Sequence, residues 1–132
     1  MVVAILGILS ALGVVSYNGY VSATKKTSTE NAMLQISLAQ TEEYSNTGSY
    51  YENEGCDSPG VGTSEQIEAN LLGGANVLTK VNSKGERKAV SDYYVCIAAT
   101  ASGYAIIAQE DEEDEPCTII LNNNSVWTRE NC

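Results

Sequence analysis

The chain has no histidine and no phenylalanine, and only 7 of its 132 residues are basic, against 17 acidic ones. The absence of histidine removes the commonest general base and the commonest metal ligand in proteins. A net charge of −10 repels a phosphate backbone, so direct nucleic-acid binding is not expected. The chain also lacks a nucleophile elbow and a phosphate-binding loop. We therefore expect no catalytic residues, no cofactor and no metal centre, and we predict that the protein is not an enzyme.

Charge is also absent from the first 24 residues, which open MVVAILGILSALGVVSY; the first charged residue is Lys25. A secretory signal peptide would need a basic start and a buried core helix would need a polar face, and neither is present. The run favours a helix in lipid or in an equally apolar environment. It is short for a span of about 30 Å, which predicts that residues upstream are missing. Gly7 and Gly13 each cost a helix interior roughly 1 kcal/mol, and indicate either close packing or weak points.

The polar stretch that follows continues the same helix, because it contains no proline, and no glycine before Gly48. We predict one helix from about residue 2 to 46, roughly 65–70 Å long. It has an apolar half, residues 1–24, and an amphipathic half, residues 25–47. The apolar stripe of the second half consists of Met33, Ile36, Ala39 and Gln40.

Residues 48–90 are predicted to form a largely irregular region that contains one short helix. Thr63 as N-cap and Gln66 three residues later form a capping-box pattern, and Gly73-Gly74 ends the helix. The segment 75–88 carries four of the seven basic residues and is predicted to be a solvated loop or a short hairpin.

Residues 91–132 show the alternation and composition of β-strands, in the segments SDYYVCIAAT, YAIIAQ, CTIILN and SVWTRE. Four antiparallel strands in sequence order are the simplest topology, since neighbours in sequence usually pair. Such a sheet needs a cover on one face, and the amphipathic half of the helix is the candidate. The predicted fold class is α+β: a globular domain of residues 25–132 in which the helix packs on a four-stranded antiparallel sheet.

The four cysteines are even in number and lack a CxxC spacing, which favours two disulfides over a zinc site and indicates an oxidising compartment. Joining Cys117 to Cys132 would pin the last strand. Joining Cys56 to Cys96 would tie the irregular region to the first strand. Four cysteines allow three pairings, and the sequence leaves the other two open.

An acidic run, residues 111–115, separates the second and third strand segments. Five carboxylates could bind Ca²⁺, but the run lacks the alternating ligands and the glycine turn of a calcium loop. A solvated loop is favoured, with contact to the basic segment 75–88 of a neighbouring subunit as a further hypothesis. Asn123-Asn124-Ser125 matches a glycosylation sequon, a pattern that predicts little by itself.

The first 32 residues resemble the opening helix of the type IV pilins, through the apolar run, the Gly7-Ile8-Leu9 step, and Tyr17 and Tyr20 flanking Asn18-Gly19. The stretch LQISLAQTEEYSNTGSYY is similar too, as are YYVCIAATASGYAIIAQ, CTIILNNNSVW and a terminal cysteine. The resemblance covers nearly the whole chain, most loosely over residues 52–90. It is closest to the major pilins of the type IVa kind.

The resemblance implies a helical filament of identical subunits with the apolar helices bundled at its core. It implies that a prepilin peptidase removes a leader and that the first mature residue, upstream of this sequence, is N-methylated. Before assembly the subunit would lie in the inner membrane with a periplasmic globular domain, in contact with the pilus assembly machinery. The implied filament-core residues are Val2, Val3, Ile5, Leu6, Ile8, Leu9, Leu12, Val14 and Val15.

The sequence departs from the family at Val14-Val15-Ser16, where pilins often have a proline. A stretched, non-helical segment between about Gly7 and Val15 is nevertheless expected in the filament. The implied function is that of a structural subunit of an extracellular pilus, which supports adhesion, motility or DNA uptake at the level of the fibre. The alternatives are a pseudopilin of a type II secretion system, a minor pilin and, with least support, a membrane-anchored periplasmic enzyme.

Overall fold

The computed structural model describes residues 2–54, 56–111 and 114–132, and within the first helix it describes the side chains of residues 2–8 and 23–47. In chain order the elements are α1 Val2–Thr47, α2 Val61–Asn70, β1 Thr79–Val81, β2 Arg87–Ala89, β3 Tyr93–Thr100, β4 Gly103–Glu110, β5 Thr118–Asn122 and β6 Trp127–Glu130. The predicted α+β class with a four-stranded antiparallel sheet is confirmed.

The main sheet is an antiparallel meander with the strand order β3-β4-β5-β6. In the register, Ile97 pairs with Ile106 and Ile106 with Leu121, so these apolar side chains share one face. All three are buried in the core. The predicted topology is therefore correct, and the segment 75–88 contains the hairpin β1–β2 rather than an open loop.

Helix α1 covers the inner face of this sheet with its second half. Met33, Ile36 and Gln40 are fully buried, as the predicted stripe requires, whereas Ala39 is only half-buried. Gln40 is tolerated in the core because its amide makes two hydrogen bonds to the backbone of one residue: it accepts from the Tyr51 N–H at 2.8 Å and donates to the Tyr51 carbonyl at 2.7 Å. The first residues after α1 are thereby held against the helix.

Helix α2 begins earlier than the sequence pattern predicts. Gly60, not Thr63, is the N-cap residue, and Thr63 lies one turn inside the helix. The Thr63 hydroxyl accepts from the Gly60 N–H at 3.0 Å and donates to the Gly60 carbonyl at 2.9 Å. The threonine therefore still hydrogen-bonds the backbone at the start of α2, but from inside the first turn and not from the N-cap position. The buried Glu68 carboxylate accepts from the Thr79 hydroxyl and from the Leu78 N–H at 3.3 Å, which joins α2 to the hairpin.

The free edge of β3 is closed by side chains instead of a further strand. Asn53 Oδ1 accepts from the Ile97 N–H at 2.8 Å, while the Asn53 N–H donates to the Ile97 carbonyl at 2.8 Å. Ser64 Oγ accepts from the Val95 N–H at 2.9 Å. These bonds satisfy backbone groups that an open edge strand would present to other chains.

Two disulfides brace the domain, and they are the predicted pairs. Cys56 is bonded to Cys96 with Cα atoms 5.6 Å apart, and Cys117 to Cys132 with Cα atoms 4.7 Å apart. The first ties the irregular region to β3, and the second holds the end of the chain beside the start of β5.

Candidate functional site

The first turns of α1 present large apolar side chains to the surroundings. The exposed fractions are 71% for Val2, 82% for Val3, 54% for Ile5 and 63% for Ile8, and Leu6 is 58% exposed. A Cβ added at Gly7 would meet no atom within 4 Å. We call residues 2–8 the apolar helix end. Its side chains are of the kinds that usually fill protein cores, but they lie outside the core of this domain.

The rest of the predicted filament-core set, and the predicted weak point Gly13, lie outside the described side chains; the filament-core residues concerned are Leu9, Leu12, Val14 and Val15. The backbone of α1 is helical without a break from Val2 to Thr47, so the single chain has no stretched segment near Gly7. That expectation concerns the filament and stays a prediction. Within the part of the chain whose side chains the structure describes, no helix is long and apolar enough to cross a membrane.

Two polar contacts join α1 to the segment just before β3. Lys25 forms a salt bridge with Asp92, and the hydrogen bond and charge of Asp92 raise the pKa of Lys25. One turn along, the hydroxyls of Thr29 and Ser91 are 2.7 Å apart. These contacts begin at Lys25, the first charged residue of the chain. They fix the position at which the helix leaves its own domain.

A third contact joins α1 to the opposite edge of the sheet. The Glu30 carboxylate binds the Arg129 guanidinium of β6 at 2.6 and 3.1 Å. Arg129 also lies over the ring of Trp127, 5.5 Å from its centroid. The Arg129 guanidinium therefore contacts two groups of its own chain, the Glu30 carboxylate and the Trp127 ring.

The first residue of the acidic run, Asp111, contacts β3 and the residue before it in its own chain. The Tyr94 hydroxyl donates to Asp111 at 3.4 Å. Burial, and after it the Asp111 charge, raises the pKa of Tyr94, while the Lys88 charge lowers it. Glu112 and Glu113 of the run lie outside the described residues. Among the residues that are described, no group of carboxylates or cysteines could hold a metal ion.

The Asn123 side chain belongs to the fold and is a poor glycan acceptor. Its Nδ2 donates to the Ser102 carbonyl at 2.8 Å, and its backbone N–H donates to the Tyr104 carbonyl at 3.2 Å. A Cβ added at Gly103 would lie 2.7 Å from the Asn123 Cγ. The asparagine therefore locks the β3–β4 turn to the β5–β6 turn. The sequence motif gives no sign of this packing, because the two turns are distant along the chain.

Exposed apolar side chains also occur on the globular domain, where the sequence does not single them out. Val81 and Val90 flank the hairpin and are 56% and 39% exposed. Leu34 and Leu38 lie on α1 away from the sheet, at 45% and 73%, and Val126 is 55% exposed. Helical periodicity correctly identifies the buried stripe of α1. It does not predict the exposed leucines on the outside of the same helix.

Comparisons with known proteins returned no matching family model, no matching curated protein and no matching solved structure. The resemblance to type IV pilins therefore rests on the residues that carry it.

Proposed function

We propose that this chain is a structural subunit of an extracellular type IV pilus, with a pilin-type fold that polymerises into a helical filament. The fibre, not the single subunit, would support adhesion, motility or DNA uptake. The subunit has no catalytic role and takes no cofactor in this proposal. Its partners are identical copies of itself and the pilus assembly machinery. Before assembly it resides in the inner membrane, with its globular domain in the periplasm.

The apolar helix end is the observation that carries this proposal. Its valine, leucine and isoleucine residues are all more than half exposed, whereas monomeric proteins rarely expose contiguous apolar patches larger than about a few hundred Å². At about 25 cal/mol per Å², burying them would contribute on the order of 10 kcal/mol. A surface of this kind is stable only in lipid or against other apolar surface, and identical helices provide that surface in a filament.

The rest of the domain fits a subunit that leaves the cytosol. Each disulfide joins a buried cysteine of the sheet region, Cys96 or Cys117, to a segment outside the sheet, and disulfides persist in oxidising compartments. The fold also closes the β3 edge with Asn53 and Ser64, so the sheet does not invite pairing with other strands. Assembly is thereby directed to the helix, away from the strand edge at β3.

The test is to express the full protein in a bacterium that has pilus machinery, shear the cells and image the fibres by cryo-electron microscopy. We expect filaments whose density fits this sequence, with the apolar helices at the axis. Ile5→Lys should lower fibre yield at least a hundredfold, because an unpaired charge in an apolar core costs several kcal/mol. Ser45→Lys, at an exposed position of the same helix, is the control and should still yield fibres.

Two results would contradict the proposal. One is an Ile5→Lys variant that assembles as well as the control. The other is a fibre made of a different subunit while this protein stays in the membrane fraction, which would favour a minor pilin or a pseudopilin.

A further inference from the structure

A short segment of the irregular region lies along the free edge of β3 and is held there by two kinds of bond. Asn53 exchanges two hydrogen bonds with the backbone of Ile97, each 2.8 Å long. Further along the segment, Cys56 is joined to Cys96, the β3 residue just before Ile97. The segment therefore runs antiparallel to β3, as a pairing strand would. We call residues 51–54 and 56–60 the strap.

The strap is anchored at both ends by contacts that do not involve the disulfide. At its start, the fully buried Gln40 binds the backbone of Tyr51. At its end α2 begins, and Ser64 of α2 accepts from the Val95 N–H at 2.9 Å. Opening of the strap would therefore free the β3 edge at Ile97, while α2 keeps its own contact with the earlier part of the strand.

Strand β3 has the composition of a strand that pairs readily with other copies. Its sequence YYVCIAAT is rich in β-branched and aromatic residues and contains no charge, proline or glycine. Such a segment on an open edge is an aggregation hazard, and natural sheets protect their edges with charges, proline or a covering segment. At the opposite edge of the sheet, β6 carries the charges of Arg129 and Glu130. The protection of β3 depends instead on the segment that covers it.

The disulfide is the part of this cover that thermal motion does not break. Hydrogen bonds between a short irregular segment and a strand edge can open locally, with free energies far below that of global unfolding. The bonds between Asn53 and Ile97 are of this kind. The Cys56–Cys96 bond ties the strap to the residue next to Ile97, so an opened strap stays beside the edge and closes again. We call this disulfide the lock.

We propose that the lock holds the strap over a latent pairing edge, and that without it β3 pairs with β3 of a second copy of this chain. The inference goes beyond the proposed function and does not depend on it. The two strands pair antiparallel through backbone groups of Ile97 and of the exposed Ala99, because alternate residues of a strand present these groups to the same edge. Closing the lock converts two cysteine thiols and one external disulfide into Cys56–Cys96 and two external thiols. This exchange must therefore precede accumulation of the protein.

The test compares two variants of the full protein in detergent. Cys56→Ala/Cys96→Ala removes the lock, whereas Cys117→Ala/Cys132→Ala removes the other disulfide and keeps the lock. Both variants retain α1, so association through α1 is the same in both. Treating the second variant with dithiothreitol opens the lock without a substitution in β3, which gives the same comparison if the first variant does not fold.

The first measurement is hydrogen exchange of the Ile97 amide. Its rate is divided by that of Ile106 in the interior strand β4, so that a change in global stability cancels. We expect this ratio to rise about tenfold or more without the lock, and to stay within about twofold of the wild-type ratio with it.

The second measurement is the dependence of the Ile97 exchange rate on protein concentration at a fixed detergent concentration. Without the lock, a concentration raised about tenfold should slow this exchange about threefold, as mass action gives for a dimer that protects the amide. Sedimentation should show the same dimer. Thr100→Lys, which adds a charge to the exposed end of β3, should abolish the dimer and leave the Ile97 exchange fast.

Each outcome decides the inference. An unchanged exchange ratio without the lock overturns it, because Asn53 then holds the strap by itself. Fast exchange that is independent of protein concentration, with no dimer, overturns the pairing of β3 with a second copy. Fast exchange that slows with concentration, together with loss of the dimer in Thr100→Lys, supports the proposal. No measurement involves fibres, so a failure here leaves the pilus proposal standing.

Discussion

The closure of the β3 edge by Asn53 can be tested by Asn53→Ala. The asparagine is 9% exposed, and its Oδ1 accepts from the Ile97 N–H at 2.8 Å. Its Nδ2 donates to the Thr63 carbonyl at 3.2 Å and to Gln66 Oε1 at 2.9 Å. Alanine removes all three bonds and leaves a buried N–H without its acceptor. That loss costs about 1–3 kcal/mol, and the two lost amide bonds add about 1 kcal/mol, so we expect about 3 kcal/mol in total.

The measurement is guanidinium unfolding of the oxidised full protein in detergent, with hydrogen exchange of the Ile97 amide. A loss of about 3 kcal/mol lowers the midpoint by about 1 M for a domain of this size. Glu52→Ala, at the exposed neighbouring residue, is the control and should leave the midpoint nearly unchanged. A loss below about 0.5 kcal/mol in Asn53→Ala, with the Ile97 amide still protected, would refute the reasoning, since another group would then satisfy that N–H.

The remaining predictions concern one turn, one tyrosine and the two disulfides. Gly103→Ala should destabilise the protein by about 2–3 kcal/mol, because Gly103 has a φ of 148° and an added Cβ would lie 2.7 Å from Asn123. Adding Asn123→Ala should then cost less than the sum of the single changes in a thermal unfolding cycle. Burial, with smaller effects of Glu110 and Glu30, raises the pKa of Tyr93 to about 12. The phenol of the unfolded chain ionises near pH 10, so the free energy of unfolding that this group contributes is fully present below pH 10 and is lost as the pH rises toward 12. Tyr93→Phe should remove this loss of stability. It should also remove the late step in the absorbance titration at 295 nm. Replacing both cysteines of a disulfide by serine should cost about 4 kcal/mol at Cys56–Cys96 and about 3 kcal/mol at Cys117–Cys132, because the disulfides close loops of 40 and 15 residues. Denaturant unfolding measures both losses. The reverse ranking would argue against the loop-entropy explanation.

The strands and the helical stripe were predictable because each depends on a local period. Alternating side chains in YYVCIAAT and YAIIAQ identify β3 and β4, and pairing of sequence neighbours then orders the sheet. Met33 and Ile36 were predictable as core residues from helical spacing. Helix α1 ends at Thr47, one residue beyond the prediction, because Gly48 follows with a φ of 81° that terminates the helix.

The parts that could not be predicted depend on contacts between distant segments. No local pattern tells that Asn53 satisfies Ile97, 44 residues away, or that Glu30 binds Arg129, 99 residues away. The N-terminus of α2 was misplaced because a capping threonine acts equally well from inside the helix, as Thr63 does with Gly60.

The lengths of helix and strand explain why the domain leaves part of its own helix uncovered. Strands β3 and β4 have 8 residues each and, at about 3.3 Å per residue, extend for about 26 Å. At 1.5 Å per residue the same distance holds about 17 helical residues. The contacts of α1 with its own domain that are described run from Lys25 to Tyr44, which is close to that length. Sheets of this size can therefore cover only one stretch of the 46-residue helix. The apolar helix end lies beyond that stretch, so its burial requires lipid or another apolar surface, and the polymerisation that we propose would supply such a surface outside a membrane.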